Sequence, residues 1–339
     1  MNDNNLRFND ADESLVSANR PYEIFDLNKL KLLPLSERIH DMNMSEILEL
    51  SDVPAYENES LDAVCDAVIS AREKNASVIL MYGAHMIKRG CSKLLINLIE
   101  NGWVTHLATN GAGAIHDFEL AMIGATTESV AKYISEGQFG LWNETGKLND
   151  IVADGARRGF GFGESVGKYI CENNLPNADI SVLAAGYRSR VPVTVHVGIG
   201  SDIVHEHPNF DAAAVGKASH TDFLIYAKST QNLEGGAFLN FGSAVTGPEV
   251  YLKCLAMARN VAKQENKKIA DFTTAVFDVL PFESRDYRSE PKKSDYMYYF
   301  RPWKTILART VADGGRSYYI EGDHRATLGN LVLKLNGRK

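Results

Sequence analysis

Cysteine is scarce in this chain. The four thiols (Cys65, Cys91, Cys171 and Cys254) are far apart and form no CxxC pair among 339 residues. That pattern excludes a disulfide framework and reads as buried thiols in a reducing cytosol. There is no excess of basic charge either: 36 Lys+Arg face 43 Asp+Glu, for a net charge of -7. A sequence-wide basic footprint for phosphates is therefore missing, and nucleic acid is not an expected partner. Long apolar runs are also missing. The longest, residues 78–87, already contains His85 and falls short of the roughly 18 residues a membrane span needs. The opening MNDNNLRFND is polar, so no signal peptide is expected. No internal repeat is visible. What is there, 45% hydrophobic, 23% charged and 9% aromatic residues, is the composition of a soluble, cytoplasmic, globular protein with a large core.

The order of patterns divides the chain. Residues 1–57 read as a polar N-terminal arm, in which residues 35–50 place Ile39, Met42, Ile47 and Leu48 on an approximate helical stripe. Such a stripe has little to bury against alone, so the arm is expected to pack on another subunit. From residue 58 onward strands and helices alternate. Ser60 can cap a first helix carrying Leu61, Val64, Val68 and Ala71, followed by a strand over 78–83, a helix over 92–100 and a strand over 104–109. Later strands are predicted over 191–197, 237–241, 272–279 and 317–320, with helices over 182–188, 221–230, 248–264, 303–312 and 326–335. Nearly continuous apolar strands between helices predict a mainly parallel, Rossmann-like sheet in a three-layer α/β/α domain spanning 58–339. Ligands of such sheets lie beyond the carboxyl ends of the strands. Residues 126–170 break the alternation. Their Gly-rich patch at 159–165 matches neither GxGxxG nor GxxxxGK, and a flexible surface turn is favoured over a phosphate loop. Residues 283–295 read as a solvated loop.

The strand-end loops carry the candidate chemistry. In TNGAGAIHDFE, residues 109–119, Gly111 and Gly113 follow Asn110 between a strand and a helix, so the backbone can approach a pyrophosphate at a helix start. The third glycine of the usual fingerprint is replaced by His116. A second loop, FGSAVTGPE at 241–249, offers Gly242 and Ser243 and another helix start at Pro248. Two such loops on one sheet edge favour a dinucleotide. Asp278 ends the next strand, either facing that ligand or serving as a turn acid. Asp323 suits a ribose hydroxyl or a helix cap. Between the glycine loops, Asp202, His205, Glu206, His207 and Asp211 could ligate a metal or hold a polar, cationic substrate. His205 or His116 could take a proton near neutral pH. His196 sits between Val195 and Val197 and fits a satisfied buried histidine. In YMYYFRPWK, residues 296–304, aromatics beside Lys304 could bury it and prepare it for imine chemistry, or Lys304 could be a surface charge near a packed Trp303.

Over about residues 75–335 the order of these segments resembles the deoxyhypusine synthase family. TNGAGAIHDFE resembles that family's nicotinamide-cofactor loop with its trailing acids, GGAFLNFGSAVTGPEV its glycine-rich strand end, VPVTVHVGIGSDIVHEHP its acid-bearing loop, and SYYIEGDHRATLGNLVLKL its final strand, acidic turn and helix. Trp303-Lys304 falls where the family has Trp-Gly-Lys, one residue longer. The resemblance implies that Asn110, Gly111, Gly113, Gly242, Ser243 and Asp323 contact NAD and that Asp202 and His205 occupy the acid-bearing loop; Asp117 and Asp278 are expected to join the cofactor contacts, and Asp202, Glu206 and Trp303 to bind the substrate. It further implies Lys304 as the imine-forming residue and a tetramer with sites between subunits. The expected function is NAD-dependent oxidation of a C–N bond in a polyamine or basic amino acid, with the imine transferred or hydrolysed. A metal-dependent hydrolase using His205 and His207, or a non-catalytic NAD-binding protein, are the alternatives.

Overall fold

The computed structural model describes residues 22–282 and 286–338. The first twenty-one residues of the expected arm and positions 283–285 of the expected solvated loop lie outside them. Six strands, β1 Val78–Tyr82, β2 His106–Asn110, β3 Val193–His196, β4 Ala237–Phe241, β5 Thr273–Asp278 and β6 Arg316–Glu321, form one parallel sheet in the order β3-β2-β1-β4-β5-β6. This is a Rossmann-like α/β fold. The first three strands run outward one way from β1 and the last three the other way, so the order reverses between β1 and β4.

The alternation of side chains explains the layers. Val78, Leu80 and Tyr82 face one core together with Leu107, Val195, Leu239, Phe241 and Phe277, while Ile79, Met81, Phe238 and Val276 face the other. The first core is covered by α1 Glu59–Glu73, α3 Ser92–Glu100, α4 Gly111–Ile123, α6 Asn143–Arg157, α7 Phe162–Glu172, α8 Val182–Ser189 and α11 His324–Asn336, with the four-residue α2 His85–Lys88 as a shorter piece, while α5 Val130–Glu136 packs Tyr133 into a separate small cluster with Leu35 and Trp142. The second is covered by α9 Ala212–Thr230, α10 Thr246–Gln264 and a π-helical turn at Pro302–Ala308. Burying each large apolar side chain is worth roughly 1.5–3 kcal/mol, which is why both faces of every central strand read as apolar. Among the described residues no helix is long and apolar enough to cross a membrane.

Several expectations need correction. The arm's stripe is no α-helix. Asn43 and Glu46 close a capping box around a single 3-10 turn, Met44–Glu46, and Met42–Asn43 pair antiparallel with Ala125–Thr126. Met42, Ile47 and Leu48 are buried in the first core while Ile39 is exposed. These three side chains thus bury on their own chain, with Met44 N donating to Gly124 O at 3.0 Å and Leu48 N to Gly90 O at 2.9 Å, while Tyr22, Ile24, Phe25 and Ile39 of the arm are exposed. The Gly-rich patch at 159–165 is a packing junction rather than a flexible turn. A Cβ on Gly161 would collide with Asp222, one on Gly163 with the Val193 carbonyl, and Asp222 accepts from Gly163 N at 2.9 Å and Val195 N at 2.7 Å. α9 starts nine residues earlier than its pattern suggested, because Asp211 caps it through Ala214 N at 2.9 Å. The expected helix over 303–312 is the π-helical turn followed by a 3-10 turn, Arg309–Val311.

Candidate functional site

The carboxyl edge of the sheet gathers most of the expected residues. At the reversal of strand order, Gly83 follows β1 and Gly242 follows β4. Gly83 N donates to Phe241 O at 2.9 Å, and a Cβ on Gly83 would collide with Gly242 O. Gly242 adopts φ +58°, and a Cβ there would lie 2.6 Å from His324 Nε2. Three chain segments therefore meet with no side chain but the His324 imidazole between them. Neither Gly83 nor His324 stood out in the sequence. A glycine directly after a strand was the available signal for the first, and nothing marked the second.

The loop before α4 is built as expected. Asn110 caps the helix by accepting from Gly113 N at 2.9 Å, and Gly113 packs against Thr109. The seat this creates at the free amides of α4 holds one of the chain's own carboxylates. A Cβ on Gly111 would collide with Asp202 Oδ2, and the Ala112 amide donates to Asp202. Burial pushes the Asp202 carboxyl up to about 6, opposed by that amide. His205 packs beside it, with Nε2 at 3.8 Å from Asp202 Oδ2. Its Nδ1 accepts from Gly200 N at 3.0 Å and Asp202 N at 3.1 Å. That lone pair is engaged, so in the neutral ring the proton sits on Nε2, facing the carboxylate. His205 is thus a positioning group in this geometry and not a free proton acceptor, contrary to the sequence reading.

His116 lies one turn further along α4. Its Nδ1 is 2.8 Å from Thr126 Oγ1, and that hydroxyl donates to Glu119 Oε2 at 2.6 Å. Nδ1 therefore carries the proton, and Nε2 keeps its lone pair. Burial lowers the imidazole to about 4, with Glu119 opposing and Lys88 assisting. Glu119 itself receives Arg38 in a bidentate pair at 2.9 and 2.7 Å and Thr145 at 2.6 Å, the pair's side chains being only 1% exposed. Burial would raise Glu119, but Arg38 and the two hydroxyls outweigh it and hold the carboxyl below its ordinary range. Glu206 and Glu128 stand close by. Burial raises both, each is raised further by a neighbouring carboxylate, and Glu128 accepts from Trp142 Nε1 at 2.8 Å and Gly140 N at 3.1 Å.

On the other half of the edge, Ser243 Oγ accepts from Gly247 N at 2.9 Å and fixes the start of α10. Asp278, buried, accepts from Leu280 N at 3.1 Å. Asp323 caps α11 through Arg325 N and pairs with Arg89 at 2.8 Å. Burial pushes Asp323 up, but the Arg325 amide and Arg89 outweigh it and hold it low.

Four expected residues are placed elsewhere or otherwise engaged. Asp117 accepts from Ser181 Oγ at 2.5 Å and Val182 N at 2.7 Å, so its oxygens cap α8 and not a cofactor. Trp303 is buried against Phe282, and its Nε1 donates to Ser289 O at 2.9 Å. Lys304 Nζ sits 3.7 Å over the Tyr298 ring, a contact that attracts an ammonium and that lowers the Tyr298 hydroxyl. Imine chemistry needs the opposite, apolar burial of a free amine. His207 is fully buried, with Nε2 at 2.8 Å from Gly140 O and Nδ1 against Gly146, so it does not join His205 as a metal ligand. Among the described residues no group of three His, Cys, Asp or Glu could hold a metal. His196 is the satisfied buried histidine the alternation suggested. Its Nε2 is 3.0 Å from Thr194 Oγ1, and burial lowers it to about 3.

Comparisons with known proteins bear on this edge. The chain matches the profile of the arginine dihydrolase ArgZ-like C-terminal Rossmann fold over residues 62–158, which contain β1, β2, α4 and α6. Curated proteins give no match. Among solved structures, unliganded AgrE aligns over 84% of this chain and 34% of its own, at 17% identity and TM-score 0.50. AgrE is also known in a ternary complex with ornithine and NAD+. ArgZ, an arginine dihydrolase from the ornithine-ammonia cycle in cyanobacteria, aligns over 83% of this chain and 31% of its own, at 14% identity and TM-score 0.48. This chain thus spans about a third of the length of AgrE and ArgZ. A putative deoxyhypusine synthase from Entamoeba histolytica aligns over 81% of this chain and 86% of its own, at 9% identity and TM-score 0.44. The sequence match therefore falls on an ArgZ-like Rossmann profile where the motifs had suggested deoxyhypusine synthase, and what the AgrE alignment shares with this chain is the fold.

Proposed function

We propose that this protein is a nicotinamide-dinucleotide enzyme that oxidises a C–N bond of a cationic amine, a basic amino acid or polyamine. The observation that carries the proposal is the reversal of strand order between β1 and β4, with glycines at both strand ends and the loops after β2, β5 and β6 on the same edge. In open α/β sheets this is where dinucleotides bind. The residues fit such a group. The loops after β1 and β4 approach each other so closely that a Cβ on Gly83 would meet the Gly242 carbonyl and one on Gly242 would meet His324, and His324 Nδ1 is a buried polar atom without a partner among the described residues. Gly83, Gly242 and Ser243 would hold the dinucleotide. Bound NAD supplies the hydride acceptor. The complex of AgrE with ornithine and NAD+ supports the same pairing of cofactor and basic amino acid.

The chain's own residues then have distinct tasks. Glu128 and Glu206, with Asp202, give the β2–β3 half a negative field that draws a cation. Asp202 accepts the proton released from the amine. Its raised carboxyl titrates close to working pH, which suits a general base, and His205 Nε2–H orients it. His116, held through Thr126 and Glu119, stays neutral and offers Nε2 as an acceptor to the substrate. Lys304 has no part in this chemistry, so release of the imine would be by hydrolysis. An oligomer is retained as part of the proposal because the exposed Val130 and Ile134 of α5 adjoin this half.

The test is calorimetric titration with NAD+, followed by screening arginine, ornithine, lysine and spermidine for NADH absorbance. Saturable NAD+ binding with amine-dependent NADH formation is the expected result. Binding without turnover of any amine would leave a dinucleotide-binding protein without this reaction. Failure to bind any nicotinamide cofactor would overturn the proposal.

A further inference from the structure

His324 has no place in the chemistry described above, yet it lies under the point where β1 and β4 part. Its side chain is 7% exposed, it packs edge-on to Phe241, and its Nε2 occupies the space a Cβ on Gly242 would need. Nδ1 is buried and has no hydrogen-bond partner among the described residues. A buried polar atom left unpaired is costly, so an imidazole held in this position calls for a ligand or a function. Its charged neighbours are Asp278, Asp323, His85 and Arg89. Burial lowers His324, the two carboxylates oppose that, and the imidazole ends neutral near pH 7. Asp323 is already tied to Arg89 and to the start of α11.

A neutral imidazole flanked by two carboxylates is a poor partner for a phosphate and a good one for hydroxyls, which it and Asp278 can meet as donor and acceptors. We propose that His324, together with Asp278, reads a ribose diol of the bound dinucleotide at the β4–β6 half of the edge, and that this pair selects NAD over NADP. A 2′-phosphate at this position would meet the carboxylates of Asp278 and Asp323, the latter already holding Arg89. The inference rests on the nicotinamide-cofactor reading and adds to it the group that recognises the sugar.

The experiment uses the full chain. NAD+ and NADP+ are titrated by calorimetry into the wild type and into His324→Asn, whose thermal midpoint without ligand reports folding. Imidazole nitrogen spectra of the wild type are recorded with and without NAD+, the His324 signals being assigned through correlations to its own labelled backbone. The expected result is at least tenfold tighter binding of NAD+ than NADP+, a shift of the His324 signals with NAD+, and about tenfold weaker NAD+ binding by His324→Asn. If the variant does not fold, the wild-type spectra decide. NAD+ binding that leaves the His324 signals unmoved, or equal affinity for NAD+ and NADP+, overturns this inference and leaves the cofactor reading standing. No binding of either cofactor overturns both.

Discussion

The two halves of the sheet's carboxyl edge are built on opposite plans. Across β2 and β3 the chain fills the edge with its own charge: Asp202 lies on the amides of α4, His205 is pinned by two backbone N–H groups, and Glu119 is clamped by Arg38. Across β1, β4 and β6 it leaves the backbone nearly bare, with Gly83 and Gly242 in contact and one imidazole between. The same element of topology, a strand end opening into a helix, thus carries a wall of charged side chains on one side and a close contact of glycines on the other. Loop composition decides which, because a helix start accepts a phosphate or a neighbouring carboxylate equally well.

The comparison can be broken most forcefully at Arg38. Arg38→Met leaves Glu119 buried and unpaired, and a loss of about 3–5 kcal/mol is expected, measured by chemical denaturation. The double variant Arg38→Met, Glu119→Met should recover much of it. A single-variant loss under about 1 kcal/mol would show that the pair does not hold the arm to α4. Next in size, Asp202→Asn should lower amine-dependent NADH formation by about a hundredfold or more while NAD+ binding persists. An unchanged rate would remove Asp202 as the base and return attention to His116.

A pH experiment separates a carboxylate satisfied only by amides from one paired with a cation. Burial pushes Asp222 up to about 7, opposed by the Gly163 and Val195 amides. Its folded form holds its proton more tightly than the unfolded chain, so this group's contribution is fully present below about pH 4 and is lost as pH rises toward 7. Compared with Asp222→Asn, the wild type should therefore lose stability between about pH 4 and 7. The opposite trend, or parallel curves, would contradict the assignment. Glu119, held low by Arg38, carries the reverse sign, and its contribution is lost as pH falls below the ordinary carboxylate range. The smallest effect is expected at Lys304. Lys304→Ala removes a surface contact with Tyr298 worth about 0.5–1 kcal/mol at most, with NADH formation unchanged and no borohydride-trapped adduct in the wild type. A trapped adduct at Lys304 would restore its covalent role.

The sheet was legible because buried parallel strands leave unbroken apolar runs, and 237–241 could be placed to the residue. The α4 loop was legible for a local reason as well: Asn110 and two glycines at a strand end are a cap and a cradle wherever they occur. What could not be read was long-range. Nothing local tells that Asp117 caps α8, sixty-four residues away, or that Asp202 settles on Gly111. The arm's apolar spacing mimicked a helix because Met42, on a two-residue strand, and Ile47 and Leu48, just past one 3-10 turn, enter the same core. At Lys304 the aromatic cluster was real, but the amine lies over the single ring of Tyr298 while Trp303 turns into the core, a matter of geometry that composition does not carry. His324 escaped notice because its partner is a glycine's missing side chain.

Calorimetric titration of NAD+ into the full chain tests the central claim, that the bare half of the edge is a dinucleotide site, most directly. The account predicts saturable binding at one site per chain and a thermal midpoint that rises with NAD+ concentration, as mass action requires for a ligand of the folded state. Absence of both heat and midpoint shift with NAD+, NADP+ and their reduced forms at millimolar concentration would contradict it.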